Sequence, residues 1–413
     1  MCLLSKLWIA KEDAIMQKVW IVNYVRTPIG SQGGILKEVR PDDLAGHVLR
    51  SVVEQGGIDP AVVEEVFMGC ANQAGEDNRN VARMGLLLAG FPEHVPGVTI
   101  NRNCASGLDA INQAARSIAL GEMDLCIAGG VESMTRAPLV MQKPDKGYVR
   151  GNQVLWDTSV GWRMGNPKFP YPQDSNGETA ENVAEQFQLT REEQDGHALE
   201  SQRRAARAQA EGIFAKEIVP ISYLDRKKKE IVIDRDEHLR PDSSMESLAK
   251  LKPIFRQDGT VTAGNSSGIN DGAAALLLVS ERRGREMGLT PIARYVVSAS
   301  AGVSPRTMGL GPIPATRKAL KLAGLTVKDL DWIELNEAFC AQVLACMRDL
   351  ELDPDKVNPN GGAIALGHPL GCSGARIVGT LARQLERTEA RYGLASLCVG
   401  VGQGVSTILT RDF

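Results

Sequence analysis

The chain has 413 residues, of which 43% are hydrophobic and 23% are charged, and its formal net charge at pH 7 is −3. This length allows two or three packed units with sizeable cores, and the near-neutral charge gives no electrostatic footprint for nucleic acid or an acidic membrane surface. The eight cysteines form no CxxC pair, and the five histidines are far apart in the sequence. We therefore expect no metal site, no disulfide scaffold and the reduced thiols of a cytoplasmic protein.

The first fifteen residues differ from the chain that follows them. Their short apolar patch is broken by Lys11, Glu12 and Asp13 and has no small-residue cleavage site, which makes a poor signal peptide. Because a convincing strand follows Met16, we expect residues 1–15 to be a disordered extension. No apolar stretch is long enough to span a bilayer, which also favours a cytoplasmic location.

The stretch "NRNCASGLDAI" (101–111) places a single cysteine between a strand and a helix. "VPGVTI" before it predicts a short buried strand, and after it Leu108, Ile111 and Ala115 recur at helical spacing. The backbone N–H groups at a helix N-terminus stabilise an anion, so we expect the thiol of Cys104 to lose its proton more easily than a core thiol. The alternative is that Cys104 is a small apolar core residue, as most cysteines are.

The chain repeats one pattern of elements. The segments that start at Asn103 and at Gly367 each contain a small-residue turn, an amphipathic helix and a short apolar strand that ends in glycines. A repeated βαβ order predicts an α/β fold with parallel sheets covered by helices. The loops that follow the strands meet at one edge of such a sheet, where ligand sites form.

The region between the two copies has a different composition. It holds much of the Pro, Trp and charge, and "TAENVAEQFQ" and "REEQDGHALESQRRAARAQAEG" predict two helices, the second largely exposed. We therefore predict a loop domain over residues 134–265 that covers the site as a lid. Residues 16–133 with about 266–288 would form the N-terminal half, and residues 289–413 the C-terminal half.

Four stretches at predicted strand ends carry groups capable of chemistry. They are the stretch around Cys104, "NEAF" with Asn336, "GGAIALGHPLG" with His368, and "CVGVGQG" with Cys398. Because the two halves of a duplicated fold face each other, we expect all four stretches to converge on one pocket.

In this order, and together with "TAGNSSGINDGAAA", these motifs resemble the thiolase family from about Met16 to the end of the chain. The resemblance implies the thiolase fold, in which two duplicated βαβ-type halves form a five-layered α-β-α-β-α core with an inserted loop domain. It also implies an acyltransferase that cleaves a 3-ketoacyl-CoA with CoA to acetyl-CoA and a shortened acyl-CoA, or catalyses the reverse Claisen condensation. CoA and acyl-CoA are then substrates, and no cofactor is bound permanently.

The resemblance also implies a role for each candidate residue. Cys104 is the nucleophile that becomes acylated, and His368 is the base that activates it, a task that suits an imidazole. Cys398 is the second proton-transfer residue, and Asn336 joins His368, through a water, in holding the thioester enolate oxygen. The backbone N–H groups of Cys104 and Gly400 form the second oxyanion hole. Without the resemblance, Cys398 is typical of a core cysteine and Asn336 of a strand-end cap.

For CoA itself, the resemblance indicates binding over the loop domain. Ser267 in "TAGNSSG" matches a position that contacts pantetheine in this family. Arg226 in "ISYLDRKKKE" matches loosely a position near the adenine nucleotide, and a solvated charge is the alternative there. The resemblance further implies a homodimer or homotetramer and a role in fatty acid metabolism.

Two stretches bear on the acyl group of the substrate. Many acetoacetyl-CoA thiolases carry His-Met-Gly before "TAEN", whereas this chain has "SNGETAEN", with Ser175 and Asn176. The "GWRMGNP" and "CVGVGQG" stretches look closer to 3-oxoadipyl-CoA thiolases and to broader 3-ketoacyl-CoA thiolases. The substrate therefore stays open between acetoacetyl-CoA and 3-oxoadipyl-CoA.

Three other function classes are alternatives at this point. A β-ketoacyl-synthase-like condensing enzyme has a related duplicated fold but normally offers two catalytic histidines. A cysteine hydrolase built from Cys104, His368 and Asn336 leaves Cys398 and the duplication unexplained. A non-catalytic acyl-CoA-binding protein of this family would lack at least one of these four groups, and all four are present.

Overall fold

The computed structural model describes residues 16–145, 147–224 and 227–413; the predicted extension, residues 1–15, lies outside them. The strands are β1 (Val19–Arg26), β2 (Gly30–Ser31), β3 (Glu65–Gly69), β4 (Gly97–Ile100), β5 (Leu125–Ser133), β6 (Leu139–Val140), β7 (Trp156–Asp157), β8 (Ile221–Leu224), β9 (Glu230–Ile233), β10 (Asn270–Ser280), β11 (Ala293–Gly302), β12 (Trp332–Leu335), β13 (Tyr392–Val399) and β14 (Gln403–Thr410). The helices are α1 (Pro41–Gly56), α2 (Val81–Leu88), α3 (Ser106–Ala119), α4 (Asn176–Gln186), α5 (Arg191–Ala210), α6 (Met245–Ala249), α7 (Glu281–Glu286), α8 (Pro312–Ala323), α9 (Cys340–Leu350), α10 (Ala363–Leu366) and α11 (Leu370–Thr388).

Ten strands form one mixed sheet in the order β12-β13-β14-β11-β1-β10-β5-β3-β4, with β2 paired to β10. The pairs β3–β4, β3–β5 and β12–β13 are parallel, whereas the pairs that β10 and β14 make with their neighbours are antiparallel. The prediction of parallel sheets is therefore correct only for the outer strands of each half. The reason is that β14 runs antiparallel beside β13, to which a short turn joins it, and β10 runs antiparallel between β1 and β5. The two halves join where β1 pairs with β11.

The core has five layers, as the family resemblance implied. Helices α1 and α2 pack against the strands of the N-terminal half around a buried apolar cluster that includes Leu49 and Leu86. Helices α8 and α9 cover the C-terminal half in the same way around Leu320 and Val343. Between the two halves lie α3 and α11, which share one apolar cluster with strands of both halves. The burial of this apolar surface is the main force that holds such layers together.

The duplication is visible in the order of the elements. The N-terminal half runs β1-α1-β3 and later α3-β5, and the C-terminal half runs β11-α8-β12 and later α11-β13. In the second half a short turn joins β13 to β14, whereas in the first half the long segment 134–269 lies between β5 and β10.

A buried ion cluster anchors this inserted segment to the sheet. Arg26 on β1 donates to Glu217 at 3.0 Å and, with both terminal nitrogens, to Asp236 at 2.7 and 2.9 Å. All three side chains are fully buried, so each charge needs its partner.

Helix α5 is less exposed than its polar sequence predicts. One face is buried and carries polar side chains, among them Asp195, Ser201 and Gln202. The Asp195 carboxylate accepts from Asn265 at 2.9 Å, and the Ser201 hydroxyl donates to Glu337 at 2.7 Å. These hydrogen bonds lower the cost of burying Asp195 and Ser201, a condition that composition alone does not reveal.

The described residues contain neither a membrane-spanning helix nor a metal-binding cluster. Within residues 16–145, 147–224 and 227–413, no helix is long and apolar enough to cross a membrane. The same residues contain no group of three or more His, Cys, Asp or Glu placed to hold a metal ion. The seven cysteines they include are all free and buried.

Candidate active site

Cys104 lies in the turn that joins β4 to α3. The turn is held by Ser106, whose hydroxyl donates to the carbonyl oxygen of Asn103 at 2.6 Å and accepts from the N–H of Arg102 at 2.9 Å. Asn103 adopts a positive φ of 45°, a conformation that Asn tolerates better than most residues. This kink directs the chain from the strand into the helix, and Cys104 is 6% exposed at the junction.

His368 occupies the corresponding turn of the second half, just before α11. Its backbone N–H donates to the side-chain oxygen of Asn270 at 2.9 Å. The two turns lie against each other. A Cβ atom built on Gly107 would stand only 2.5 Å from the carbonyl oxygen of Gly371, so the contact leaves no room for a side chain. Gly107 and Gly371 each follow their functional residue by three positions, so this close helix contact brings the Cys104 and His368 turns together and requires glycine.

The hydrogen bonds of His368 define which ring nitrogen carries the proton. Nδ1 lies 2.6 Å from the hydroxyl oxygen of Ser373, and that hydroxyl donates its one hydrogen to the carbonyl oxygen of Pro369 at 2.9 Å. Ser373 must therefore accept from Nδ1–H, which leaves Nε2 as the acceptor nitrogen. Nε2 is buried and has no hydrogen-bond partner among the described residues. A neutral imidazole with a free Nε2 lone pair is the form that acts as a general base.

Burial also sets the charge state of the ring. Loss of solvation lowers the pKa of His368 to about 4, and the positive charge of Arg376 contributes to this lowering. The imidazole is therefore neutral at neutral pH and is ready to accept a proton.

Cys398 and Gly400 approach Cys104 from the turn between β13 and β14. The backbone N–H groups of Gly400 and of Cys104 itself lower the pKa of the Cys104 thiol, and the side-chain amide of Asn103 donates to the carbonyl oxygen of Gly400 at 3.3 Å. Cys398 is fully buried. Burial raises its pKa well above the usual range, and the negative charge of an ionised Cys104 raises it further, which places the two thiols within electrostatic reach of each other.

The Cys104 thiol loses its proton more easily than core thiols such as Cys346 and Cys372, whose pKa burial raises to about 12, as the sequence predicts, but its own pKa still lies above the usual range. Burial raises its pKa to about 11, and the hydrogen bonds from the N–H groups of Gly400 and Cys104 offset only part of that rise. The loss of water around the sulfur outweighs the favourable end of α3, because a thiolate depends on solvation more than a neutral thiol does.

Asn336 follows β12 and is 1% exposed. Its backbone N–H donates to the carbonyl oxygen of Ser396 at 2.9 Å, so the residue is fixed beside β13. Both polar atoms of its side-chain amide are buried, and neither has a partner within the part of the chain that the structure describes. A buried amide without partners is costly, which indicates a position that a water or a ligand fills.

The neighbouring Glu337 fixes the loop that carries Asn336. Its carboxylate accepts from Ser201 at 2.7 Å, from Asn358 at 2.9 Å and from the backbone N–H of Ile364 at 3.1 Å. Although burial raises its pKa, the pKa of Glu337 is lowered overall by His197 and by these hydrogen bonds. Glu337 stands inside the "NEAF" motif, but this positioning role was not predicted from the sequence.

Glu132 is a second carboxylate that the sequence analysis did not single out. It accepts backbone hydrogen bonds from Ala71 at 2.9 Å, Asn72 at 3.0 Å and Gly371 at 2.8 Å. It therefore ties the loop after β3 to the start of α11, next to His368. Burial raises the pKa of Glu132 to about 7, although these N–H groups oppose the rise. In the sequence, Glu132 follows the glycines of "GGVES" at a predicted strand end. An acidic residue at that position is the sequence signal that could have identified it.

A cavity opens over Cys104. Its floor includes Asn103, Cys104 and Gly400, and its walls include Asn176 and Met308. His368, Cys398 and Asn336 do not line this cavity and lie deeper, although Leu370, two residues after His368, does line it.

Of the two residues predicted to contact CoA, the structure describes Ser267 but not Arg226. Ser267 is half-buried, does not line the cavity, and donates its backbone N–H to the carbonyl oxygen of Ala338 at 3.0 Å, beside the Asn336 loop. Arg226 lies outside the described residues.

Two family models match the chain. The thiolase N-terminal domain matches residues 19–282, and the thiolase C-terminal domain matches residues 289–411. The chain belongs to the thiolase family. This membership decides against the condensing-enzyme and cysteine-hydrolase alternatives that the sequence left open.

Relatives match the thiolase over nearly its whole length. It is 58% identical to a beta-ketoadipyl-CoA thiolase of Pseudomonas putida over 404 residues, which cover 96% of this chain and 100% of that relative. It is 54% identical to a 3-oxoadipyl-CoA/3-oxo-5,6-dehydrosuberyl-CoA thiolase of Escherichia coli (strain K12), with coverage of 96% and 100%.

Solved structures agree with the fold. An acetyl-CoA acetyltransferase of Bacillus anthracis matches with a TM-score of 0.92 at 46% identity, covering 96% of this chain and 99% of that chain. Human mitochondrial 3-ketoacyl-CoA thiolase in complex with CoA matches with a TM-score of 0.90 at 40% identity, covering 96% and 98%. The predicted thiolase fold is confirmed. This thiolase is an acyltransferase that cleaves a 3-ketoacyl-CoA with CoA, and CoA is its substrate.

Proposed function

We propose that this thiolase cleaves 3-oxoadipyl-CoA with CoA to succinyl-CoA and acetyl-CoA. The observation that carries the proposal is the identity of 58% over 96% of the chain to a relative named for this substrate. The identity to the Bacillus anthracis acetyl-CoA acetyltransferase is lower, at 46%. The chain also departs from the short-chain pattern at Ser175 and Asn176, and Asn176 lines the cavity over Cys104.

In the first half-reaction, we assign Cys104 as the nucleophile and His368 as its base. The Cys104 sulfur attacks the 3-keto carbon while Nε2 of His368 takes the thiol proton. The bond between C2 and C3 then breaks, the acyl group stays on Cys104, and the electron pair leaves as the acetyl-CoA enolate. The pKa values of about 11 for Cys104 and about 4 for His368 mean that the neutral pair is the resting state. Proton transfer therefore accompanies the attack rather than preceding it.

Cys398 is assigned the proton transfer at the α-carbon. It donates its proton to the enolate, which completes acetyl-CoA, and it then takes a proton from the incoming CoA thiol. The CoA sulfur attacks the acyl-Cys104 thioester, and the Cys104 thiol is restored when its leaving sulfur regains a proton from His368. Over the cycle the CoA thiol proton ends on acetyl-CoA, so protons and bonds balance.

Two sets of donors are assigned to the oxygens that become negative. The free amide of Asn336, through a water, and His368 would hold the enolate oxygen, and the N–H groups of Cys104 and Gly400 would hold the oxygen of the tetrahedral intermediate. The same two N–H groups lower the pKa of the Cys104 thiol, so they already favour negative charge there, which supports this second assignment.

The remaining expectations stay proposals; the domain limits and the cytoplasmic location rest on sequence composition and pattern, and the others rest on the resemblance. They are contact of Ser267 with pantetheine, contact of Arg226 with the adenine nucleotide, the domain limits at residues 134–265 and about 266–288, a homodimer or homotetramer, a cytoplasmic location and a role in fatty acid metabolism.

The test is CoA-dependent cleavage of acetoacetyl-CoA, 3-oxohexanoyl-CoA and 3-oxoadipyl-CoA, compared by kcat/KM. We expect the highest kcat/KM for 3-oxoadipyl-CoA. A higher value for acetoacetyl-CoA would overturn the substrate assignment and favour an acetoacetyl-CoA thiolase, while cleavage of none of the three would favour a non-catalytic binding protein.

A further inference from the structure

The cavity over Cys104 has one basic side chain among its described lining residues, Arg163. Two carboxylates line the same cavity, those of Glu132 and Asp174. Arg163 belongs to the "GWRMGNP" stretch of the inserted segment, which no step of the reaction described above uses.

Hydrogen bonds connect Arg163 to the turn that carries Cys104. One terminal nitrogen of Arg163 donates to the carbonyl oxygen of Thr158 at 3.0 Å. The Thr158 hydroxyl accepts from the side-chain amide of Asn72 at 2.8 Å. The residue before Asn72, Ala71, accepts through its carbonyl oxygen from Asn101 at 3.0 Å, three positions before Cys104. A chain of hydrogen bonds through Thr158 and Asn72 thus links the guanidinium to the turn that carries the reacting thiol.

The loop around Arg163 is held from its other side as well. The indole N–H of Trp162 donates to the carbonyl oxygen of Asp174 at 2.8 Å. The Trp162 ring packs on Phe169 with a centroid distance of 5.2 Å, and Phe169 packs on Tyr171 at 5.7 Å. Aromatic pairs at these distances stabilise a loop that has little regular structure.

The carboxylates of the cavity already have other partners. Asp174 pairs with Arg306 at 3.1 Å and accepts from Asn182 at 3.2 Å, and Glu132 accepts the three backbone N–H groups described above. Within the described ranges, no carboxylate lies within ion-pair distance of Arg163, whose guanidinium donates to the neutral carbonyl of Thr158. Four of the five N–H groups of a guanidinium therefore remain for a ligand.

We propose that Arg163 is a specificity-determining residue that binds the distal carboxylate of a dicarboxylic acyl group. The inference deepens the proposed function and rests on it. A substrate bound to Cys104 at one end and ionised at the other needs a cation in the same cavity, and a guanidinium matches a carboxylate in a two-pronged geometry. The bound acyl chain displaces water from the cavity, which strengthens the pairing relative to an exposed ion pair.

The experiment compares wild type, Arg163→Gln, Arg163→Lys and Arg150→Gln on two substrates of equal chain length, 3-oxoadipyl-CoA and the neutral 3-oxohexanoyl-CoA. Arg150 is the matched control, because it is an exposed arginine of the same inserted segment that does not line the cavity. The readouts are kcat/KM for each substrate and KM for CoA.

We expect the ratio of kcat/KM between the charged and the neutral substrate to fall about 10- to 100-fold in Arg163→Gln, the range for losing hydrogen bonds to a charged group. Arg163→Lys should keep part of the ratio, and Arg150→Gln should keep all of it. An unchanged ratio in Arg163→Gln would overturn the inference alone. An equal loss on both substrates with a raised KM for CoA would overturn it in favour of a contact to a CoA phosphate. A wild-type enzyme without preference for the charged substrate would overturn the inference and the proposed substrate together.

Discussion

The two duplicated halves and the segment inserted between them build the site in different ways. The halves supply Cys104, His368, Asn336 and Cys398, each buried at a strand end or just before a helix. The inserted segment supplies cavity walls such as Arg163, which is exposed and stands on a loop outside helices and strands. Groups that break and form bonds need fixed positions, whereas groups that select a substrate can vary with a loop. We therefore expect substitutions in the halves to affect the chemical steps and substitutions in the insertion to affect substrate choice.

The largest effect should come from Cys104→Ala. Without the sulfur no acyl-enzyme forms, and we expect kcat to fall by at least about 10⁴-fold. Steady-state cleavage assays would measure the loss, with circular dichroism to establish that the variant is folded. Retention of even a tenth of the wild-type kcat would show that another group carries the acyl chain.

Cys398→Ala should separate the two half-reactions. Cys104 and His368 stay intact, so acylation of Cys104 from an acyl-CoA should persist. Overall cleavage should fall about 10²- to 10⁴-fold, since the enolate loses its proton donor. Rapid-quench measurement of acyl-enzyme and of acetyl-CoA would show both effects. If acyl-enzyme formation and turnover fell together, Cys398 would have a role in the attack itself.

The raised pKa of Cys104 predicts how its reactivity depends on pH. With the pKa at about 11, the thiolate fraction grows tenfold per pH unit below that value. The alkylation rate of the free enzyme by iodoacetamide should therefore rise about 100-fold between pH 7 and pH 9. Peptide mass spectrometry would restrict the measurement to Cys104. A plateau below pH 7 would instead indicate a stable thiolate at neutral pH.

A smaller effect is expected for Ser373→Ala, which removes the acceptor for Nδ1–H of His368. The imidazole would then lose the bond that selects its tautomer, and kcat should fall about tenfold, with KM changing less. Ser298→Ala is a suitable control, because Ser298 is also buried and hydrogen-bonded but contacts Arg116 and Tyr295 instead. An equal drop in kcat for both variants would indicate a general loss of packing.

The contrast between the two halves and the inserted segment also explains how much of the fold and the site the sequence could predict. The motifs around Cys104, His368, Asn336 and Cys398 are short and follow a repeated pattern, from which the sequence predicts convergence on one pocket. In the structure the Cys104 and His368 turns pack together, and Cys104 is the one of the four that lines the cavity. The five-layered core was implied by the family resemblance, whereas the duplication alone predicted parallel sheets and missed the antiparallel return of β10 and β14.

What the sequence could not predict depends on contacts between distant segments. Glu132 and Glu337 position the catalytic turns through hydrogen bonds to residues far away in the chain. The pKa of Cys104 depends on how completely the folded chain buries its sulfur, and composition does not show this balance between burial and the helix end. The cavity wall formed by Trp162 and Arg163 depends on an irregular loop, for which no periodic pattern exists.

The decisive experiment for the acyl-cysteine mechanism is to mix the enzyme with 3-oxoadipyl-CoA in the absence of free CoA and to identify the acylated peptide by mass spectrometry. The mechanism predicts release of acetyl-CoA and a succinyl group on the peptide that contains Cys104, with no such adduct in Cys104→Ala. A succinyl group on a different cysteine, or release of acetyl-CoA without any acyl-enzyme, would contradict it.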